Sequence, residues 1–434
     1  MLKNKKLLFI AIIACLASSV GAQETNSPYS RYGYGILRDQ AVGPSKAMGG
    51  IGYGLRHAQS ANPMNPASHS RVDSLTFLFD IGIYSTYGKL SDGINSKNHY
   101  NGGLDYITIL IPLARGLGVS AGILPYSSVG YKFGSTETTN DLSYIKSFSG
   151  SGGLSQVYLG AGYKLPGTGL SLGANASYLF GTVEHVRSLP SIGSSNSYTS
   201  VEYSRLKLNT YKFDLGLQYE LTLSKKDKLT IGAVYSPKIN SKGDYENLHY
   251  ELNSSGASVS ADTITQNGVD AGIPATYGAG FSLNRDNKLI MGADITYQKW
   301  NDVKYSGYMG DGLSQSDRFN DRWKYAVGAE YMIDPYDRSF FKRVKFRGGL
   351  NYSNSYMNVI NSDNKVKGYD EYGATLGFGF PIRDNLGGRL SYININFEYK
   401  KVKPKISNMI SEQYFGVSLN MNINEFWFFR KKID

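Results

Sequence analysis

The feature that most restricts this chain is an alternation of apolar and polar residues that recurs in segment after segment. Near the C-terminus Phe415, Val417, Leu419, Met421 and Ile423 alternate with Gly416, Ser418, Asn420, Asn422 and Asn424. Just before it, Ile393, Ile395, Phe397 and Tyr399 alternate with Tyr392, Asn394, Asn396, Glu398 and Lys400. Successive side chains of a strand point to opposite faces, so each segment has one greasy face and one bearing amides and hydroxyls. Similar alternation recurs near 74–88, 104–113, 117–133, 154–164, 169–187, 203–222, 228–237, 274–284, 288–306, 321–332, 344–360 and 366–382, which brings the expected strands to fourteen. Periodicity by itself fits a soluble sandwich or, with lipid outside and a polar lumen inside, a transmembrane barrel.

Composition and connections favour the barrel. Beyond the first residues no segment reaches the roughly 18 consecutive apolar residues of a membrane-spanning helix. With 50 Gly and 35 Tyr, the apolar residues are spread evenly instead of being gathered for one core. Long and short connections alternate, as in barrels with external loops and periplasmic turns. The long ones pass through Asn95 and His99, through Thr136 to Ser149, around Ser194, from about Asn240 to Pro274, and through Asp311 and Asp317. Tight turns at Ala114-Arg115-Gly116, Pro166-Gly167-Thr168, Lys225-Lys226-Asp227 and Arg285-Asp286-Asn287, with a moderate one at Asp334-Pro335-Tyr336, separate them. This parity demands an even strand count and puts both termini in the periplasm. The reading is an all-β fold, a transmembrane antiparallel β-barrel of about fourteen strands in the outer membrane. Tyr84, Tyr87, Tyr131, Tyr297, Trp300, Trp427 and Phe428 are expected to anchor it at the two interfaces.

The first 22 residues read as a signal peptide: Lys3, Lys5 and Lys6, an apolar run from Leu7 to Val20, then Gly21 and Ala22. The only cysteine, Cys15, lies in that run, so the processed chain offers no thiol for disulfides or metal ligation. Residues 23–73 contain Gly33, Gly35, Gly43, Gly49, Gly50, Gly52 and Gly54 and then Pro63 and Pro66, which prevent any regular element from running far. They are expected to fold as a hatch in the lumen, with the barrel itself from 74 to 434.

At this segment a specific likeness emerges: Ala47-Met48-Gly49-Gly50-Ile51-Gly52, then Ala58-Gln59-Ser60-Ala61-Asn62-Pro63-Met64-Asn65-Pro66-Ala67. It resembles the FadL/TodX family of outer-membrane transporters for hydrophobic compounds, which carry a glycine-rich opening and an Asn-Pro-Ala signature before the first strand. The resemblance implies fourteen strands, a luminal hatch, periplasmic termini, and lateral release of ligand through a kink in the third strand. There this chain has Gly122-Ile123-Leu124-Pro125-Tyr126-Ser127-Ser128, and Pro125 cannot donate a ladder hydrogen bond. Gly122, Pro125, Ser127 and Ser128 are therefore the candidate gate, and a bulge that merely curves the barrel is the alternative. The hatch motif comprises Gly49, Gly50, Gly52, Asn62, Pro63, Asn65, Pro66 and Ala67. Two departures stand out: the chain ends in the basic Arg430-Lys431-Lys432-Ile433-Asp434, and residues 134–153 and 240–274 are too polar to form a fatty-acid groove.

Chemistry points away from an enzyme. The five histidines, His57, His69, His99, His185 and His249, have no metal-ligand spacing, and there is no nucleophile elbow or phosphate loop. His57 and His69 flank the Asn-Pro-Ala segment. Asp92, Asp105 and Asp317 carry the only suggestion of a rim acid and base. The net charge of +11 is scattered through turns and loops without a basic helix, which argues against nucleic acid as a partner. No cofactor or metal is expected, and outer-membrane lipid is the surrounding partner. Two functions remain. One is passive uptake of a hydrophobic small molecule, fatty-acid-like or aromatic, captured by external loops and released through the lumen or a lateral opening. The other is a non-transporting barrel that serves outer-membrane or secreted proteins as a scaffold or shuttle in export or assembly.

Overall fold

A computed structural model describes residues 27–426 except 140–141, 191–197, 254, 309–316, 336, 361–365, 384–389 and 408. The expected signal peptide, the loop around Ser194, Asp311, Tyr336, the Trp427-Phe428 pair and the basic tail lie outside the described residues. The strands are β1 (Ile36–Leu37), β2 (Thr76–Ser91), β3 (Ser96–Ala114), β4 (Leu117–Pro125), β5 (Ser127–Thr139), β6 (Leu142–Lys164), β7 (Leu170–Pro190), β8 (Thr199–Thr222), β9 (Asp227–Ser236), β10 (Lys242–Leu252), β11 (Ser258–Asp270), β12 (Ala275–Arg285), β13 (Leu289–Lys299), β14 (Arg322–Met332), β15 (Lys345–Asn354), β16 (Val359–Ile360), β17 (Val366–Lys367), β18 (Tyr369–Arg383), β19 (Leu390–Pro404) and β20 (Ser411–Phe426).

Every pairing in the wall is antiparallel, and β2 pairs with β20 from Thr76↔Phe426 to Ser91↔Ser411, which closes the sheet on itself. Three staves are built from two segments each, β4 with β5, β9 with β10, and β11 with β12, so the barrel has fourteen staves. Closure satisfies the ladder groups along the paired length of the wall, as a lipid environment demands. The alternation read from sequence is literal here. On β9, Ile231, Ala233 and Tyr235 are exposed while Thr230, Gly232, Val234 and Ser236 are buried. Leu159, Leu350, Leu376 and Phe415 stand on the outer face, each more than half exposed.

Several boundaries differ from the sequence reading, for one physical reason. Polar strands that leave the bilayer keep their ladder bonds without an apolar face, and periodicity does not register them. The expected loop through Thr136 and Ser149 is the hairpin of β5 and β6, paired from Val129↔Gly152 to Thr139↔Leu142. The expected loop from 240 to 274 is largely the hairpin of β10 and β11. The third stave, read as continuous over 117–133, is interrupted at Tyr126.

An aromatic row runs across the outer face through Tyr235, Tyr277, Tyr297, Trp323, Tyr325, Tyr352 and Tyr372, with centroids 4.5 to 6.3 Å apart. Tyr297 joins this belt as expected of an interfacial anchor. Trp300 and Tyr131 do not. Trp300 is fully buried against Tyr34, Phe319 and Tyr356, and Tyr131 is buried with its hydroxyl on His185 Nδ1 at 2.8 Å.

Candidate functional site

Inside the wall lies the segment from Ser27 to Val72, built of three short 3-10 turns, Pro28–Arg31, Gly43–Met48 and Pro66–Arg71. Each begins with Pro in its first turn, where a missing N–H costs nothing. Asn65 caps the last, its Oδ1 accepting from Ala67 N at 3.1 Å. A chain with so little regular structure must satisfy its backbone elsewhere. The polar face of the wall does this. Asp294 accepts from Gly52 N at 2.6 Å and Tyr53 N at 2.9 Å, and Gln218 Nε2 donates to Tyr53 O and Leu55 O. Gly49 N donates to Thr375 Oγ1, Asn175 Nδ2 to Pro63 O, and Ser282 Oγ to Gly54 O at 2.6 Å. Much of the amide and hydroxyl face that a sequence reader assigns to an aqueous lumen is thus spent on this segment.

The remaining motif residues lie in the same web. Asn62 Nδ2 donates to Gly52 O at 2.7 Å, Asn65 Nδ2 to Tyr53 O at 2.8 Å, and Gly50 N to Ser45 O at 3.0 Å. Pro66 and Ala67 lie against Gly162, Gly173 and Gly216 of β6, β7 and β8, where any larger residue would meet their atoms. Wall residues Asn175, Gln218, Ser282, Asp294 and Thr375 were not singled out from sequence, although all sit on the polar side of an alternating strand.

Charge ties the segment to the wall as well. Lys46 pairs with Asp105 of β3, and Lys324 of β14 reaches Asp39 at 2.7 Å. A cavity of about 290 Å³ remains between segment and wall, bordered by Arg38, Asp39, Lys212, Asp214, Arg322, Glu371, Lys400 and Glu412 among others. Its ions are largely neutralised internally: Lys212 on Asp214, Lys400 on Glu371 at 3.2 Å, Arg322 on Glu371 at 3.9 Å. Apolar side chains line the same space, Leu37, Tyr84, Tyr126, Val234 and Val402 among them, so charged and apolar groups share it. Asp105 is therefore a tether, and Asp92 closes its own turn by accepting from Ile94 N and Asn95 N. Among the described residues no group of three His, Cys, Asp or Glu is placed to hold a metal.

At the third stave the segment pairs with the wall as a strand. Gly122 lies on β4 against Ile107 O and the Tyr158 ring, and Pro125 is the last residue of β4. From Pro125↔Ser155 to Val129↔Gly152, four steps on this stave oppose three on β6, a bulge accommodated by the positive φ of Gly152 and Gly153. Ser127 and Ser128 open β5, and their partners on the other edge are Leu37 and Ile36 of β1. Arg38 N donates to Tyr126 O at 2.9 Å, Gln40 Nε2 to Pro125 O at 3.0 Å and Ser27 N to Gly130 O at 2.9 Å. Arg38 packs its guanidinium over the Tyr84 ring at 4.5 Å. So the interruption exists and the chain's own residues 27–40 line it. Neither Ile36-Leu37 nor Arg38 carries any sequence signal for that role.

His57 and His69 answer to different staves. His69 is fully buried with Nε2 3.4 Å from Asn175 Oδ1, and burial pushes its pKa down to about 4. Burial does the same for His57, also to about 4, with Glu330 opposing and Lys345 and Arg347 reinforcing. A base whose pKa falls on folding gives stability that is full above its ordinary 6.5 and is lost as pH drops toward 4. Hydrogen-exchange protection across Arg56–Arg71, taken relative to the intrinsic rate at each pH, is expected to fall between pH 7.5 and 4.5, and a His57→Gln/His69→Gln variant to lose most of that dependence. An equal fall in the variant would assign it to other groups.

Comparison with known proteins adds the following. A family model described as BamG matches residues 1–434. No curated protein matches the sequence. Among solved structures, the Pseudomonas putida toluene transporter TodX aligns with a TM-score of 0.61 at 16% identity, covering 91% of this chain and 100% of that one. The CymD monoaromatic hydrocarbon channel aligns at 0.60 and 15%, covering 90% and 99%. The Ralstonia pickettii toluene transporter TbuX aligns at 0.57 and 16%, covering 89% and 98%. At such identities the likeness is one of fold: the chain shares the fourteen-stave barrel of these channels.

Proposed function

From the premise that this chain belongs to the BamG family, we propose that it is a non-transporting outer-membrane barrel that serves as a scaffold for partner proteins in export or assembly. The observation that carries the reading is the filled lumen. The segment from Ser27 to Val72 is hydrogen-bonded and ion-paired to the wall, it lines the break at Tyr126, and the space left over is bordered by ion pairs as well as by apolar side chains. A hydrocarbon crossing such a space would desolvate ions without replacing their partners. Residues 23–73 act in this reading as a permanent hatch, both termini face the periplasm, and the hairpins beyond the bilayer, with tyrosine in β10, offer contact surface.

A second reading, passive uptake of a hydrophobic small molecule with exit through a lateral opening, is favoured by the interruption of the third stave and by the function of the similar channels. Reconstitution in lipid vesicles separates the two. The scaffold reading expects toluene and oleate to enter no faster than into protein-free vesicles, and mild-detergent purification from native membranes to bring down stoichiometric protein partners. Accelerated entry with a solitary barrel would establish uptake instead.

A further inference from the structure

The cavity between segment and wall holds two charges that no group of the chain answers. The ion pairs described above account for its aspartates, its lysines, Arg322 and Glu371, and Glu412 accepts from Ser27 Oγ and Tyr414 OH, each at 2.7 Å. Arg38 and Glu398 are the exceptions. Among the described residues neither side chain makes an ion pair or a hydrogen bond, and the Arg38 guanidinium has only the Tyr84 ring beneath it at 4.5 Å.

The strands set these two charges across one gap. Tyr84 and Thr86 lie on the same face of β2, two residues and roughly 7 Å apart. Thr86 pairs with Gly416 of β20, and Gly416 with Glu398 of β19, so the three stand in one row across the wall. Gly416 leaves the middle of that row bare. A Cβ built there would lie 3.6 Å from Thr86 Oγ1 and 3.8 Å from Glu398 Oε2, so the carboxylate stays beside the glycine and the space above it belongs to the cavity. Arg38 and Glu398 thus line one space without pairing with each other.

A guanidinium offers a planar fork of donors to a carboxylate, and a carboxylate accepts from an ammonium. Two opposite charges left open in one enclosure of about 290 Å³, near the lower bound of ligand pockets, call for a molecule that carries both complements. Leu37, Tyr84, Tyr126 and Val234 add apolar surface, which suits an aromatic or branched side chain. We propose that this cavity is a binding site for a small zwitterion of the amino-acid class, with its carboxylate on the Arg38 guanidinium and its ammonium on the Glu398 carboxylate. The proposal goes beyond the scaffold reading and does not depend on it, since a bound small molecule neither requires nor forbids a protein partner.

Isothermal titration of the purified full chain in detergent tests it with three probes at slightly acid pH. They are L-phenylalanine, L-phenylalaninamide, which lacks the carboxylate, and N-acetyl-L-phenylalanine, which lacks the ammonium. Phenylalanine is expected to bind saturably and each analogue about tenfold more weakly, because each leaves one charge of the site unanswered. Arg38→Gln is expected to erase the preference over the amide and keep the preference over the N-acetyl compound. Glu398→Gln should do the reverse. Gly416→Leu, whose Cβ meets nothing nearer than 3.6 Å but whose longer side chain fills the gap, is expected to abolish binding of all three, and it replaces Arg38→Gln if that variant does not fold. No binding of phenylalanine, equal binding of the three probes, or Arg38 and Glu398 variants that weaken all three alike would each overturn the proposal.

Discussion

Replacing Gly232 with valine is expected to unseat the luminal segment while leaving the barrel closed. Gly232 lies on the inner face of β9, and an added Cβ there would overlap the backbone oxygen of Tyr53. Backbone on both sides cannot give way as a flexible side chain could, and the same oxygen already accepts from Asn65 Nδ2 and Gln218 Nε2. Gly328→Val, against Met48 O on the far side of the segment's glycine run, is the companion change. Both variants are expected to keep the heat-modifiable migration of a folded barrel, to become sensitive to trypsin at Arg38, Lys46, Arg56 and Arg71, and to conduct ions in planar bilayers where wild type is silent. Gly348→Ala, whose added Cβ meets nothing nearer than 3.7 Å, is the control and should behave as wild type. A silent, protease-resistant Gly232→Val would mean the segment can slide along the wall without loss.

Arg347→Leu is expected to cost about 3–5 kcal/mol of barrel stability, read by urea unfolding in detergent micelles. Glu330, Arg347 and Lys345 form a cluster on adjacent staves, with Arg347 Nε 2.6 Å and Lys345 Nζ 3.1 Å from the Glu330 carboxylate. The Glu330 and Arg347 side chains are no more than 3% exposed. Arg347 also donates to Asn394 Oδ1 at 2.8 Å. Removing the guanidinium leaves the buried Glu330 carboxylate without its closest partner and with Lys345 alone against it, and that under-compensated charge carries the cost. Removing both ends, Glu330→Leu with Arg347→Leu, should recover most of the loss. Lys345, less buried, retains its seat over the Tyr392 ring at 4.7 Å. Additive costs in the double variant would show that the cluster's value lies in Asn394 and packing instead of in charge compensation.

The wall was legible in the sequence because lipid demands a simple code. Ile231, Ala233 and Tyr235 must face out and Thr230, Gly232 and Ser236 in, and that period survives any change of neighbours. The count of staves and the tight turns at Gly116 and Gly167, both at positive φ, follow from the same local rules. What escaped local rules depended on contacts between residues far apart in the chain. The polar strands of β10 and β11 carry no lipid-facing period, so only their pairing makes them strands. Trp300 reads as an interfacial aromatic until Tyr34 and Tyr356 close over it. Asp294, Gln218 and Thr375 look like water-facing residues until the backbone of Gly49 to Leu55 arrives to use them. Sequence by itself determined a barrel with a polar inside, since alternation is a property of the strand alone and the evenly spread apolar residues and alternating long and short connections chose the barrel over a sandwich. Only the tertiary structure decided what fills that inside and what lines the broken stave, because both are settled by hydrogen bonds and ion pairs between residues far apart in the chain, from Asp39 to Lys324 and from Ile36 to Ser128.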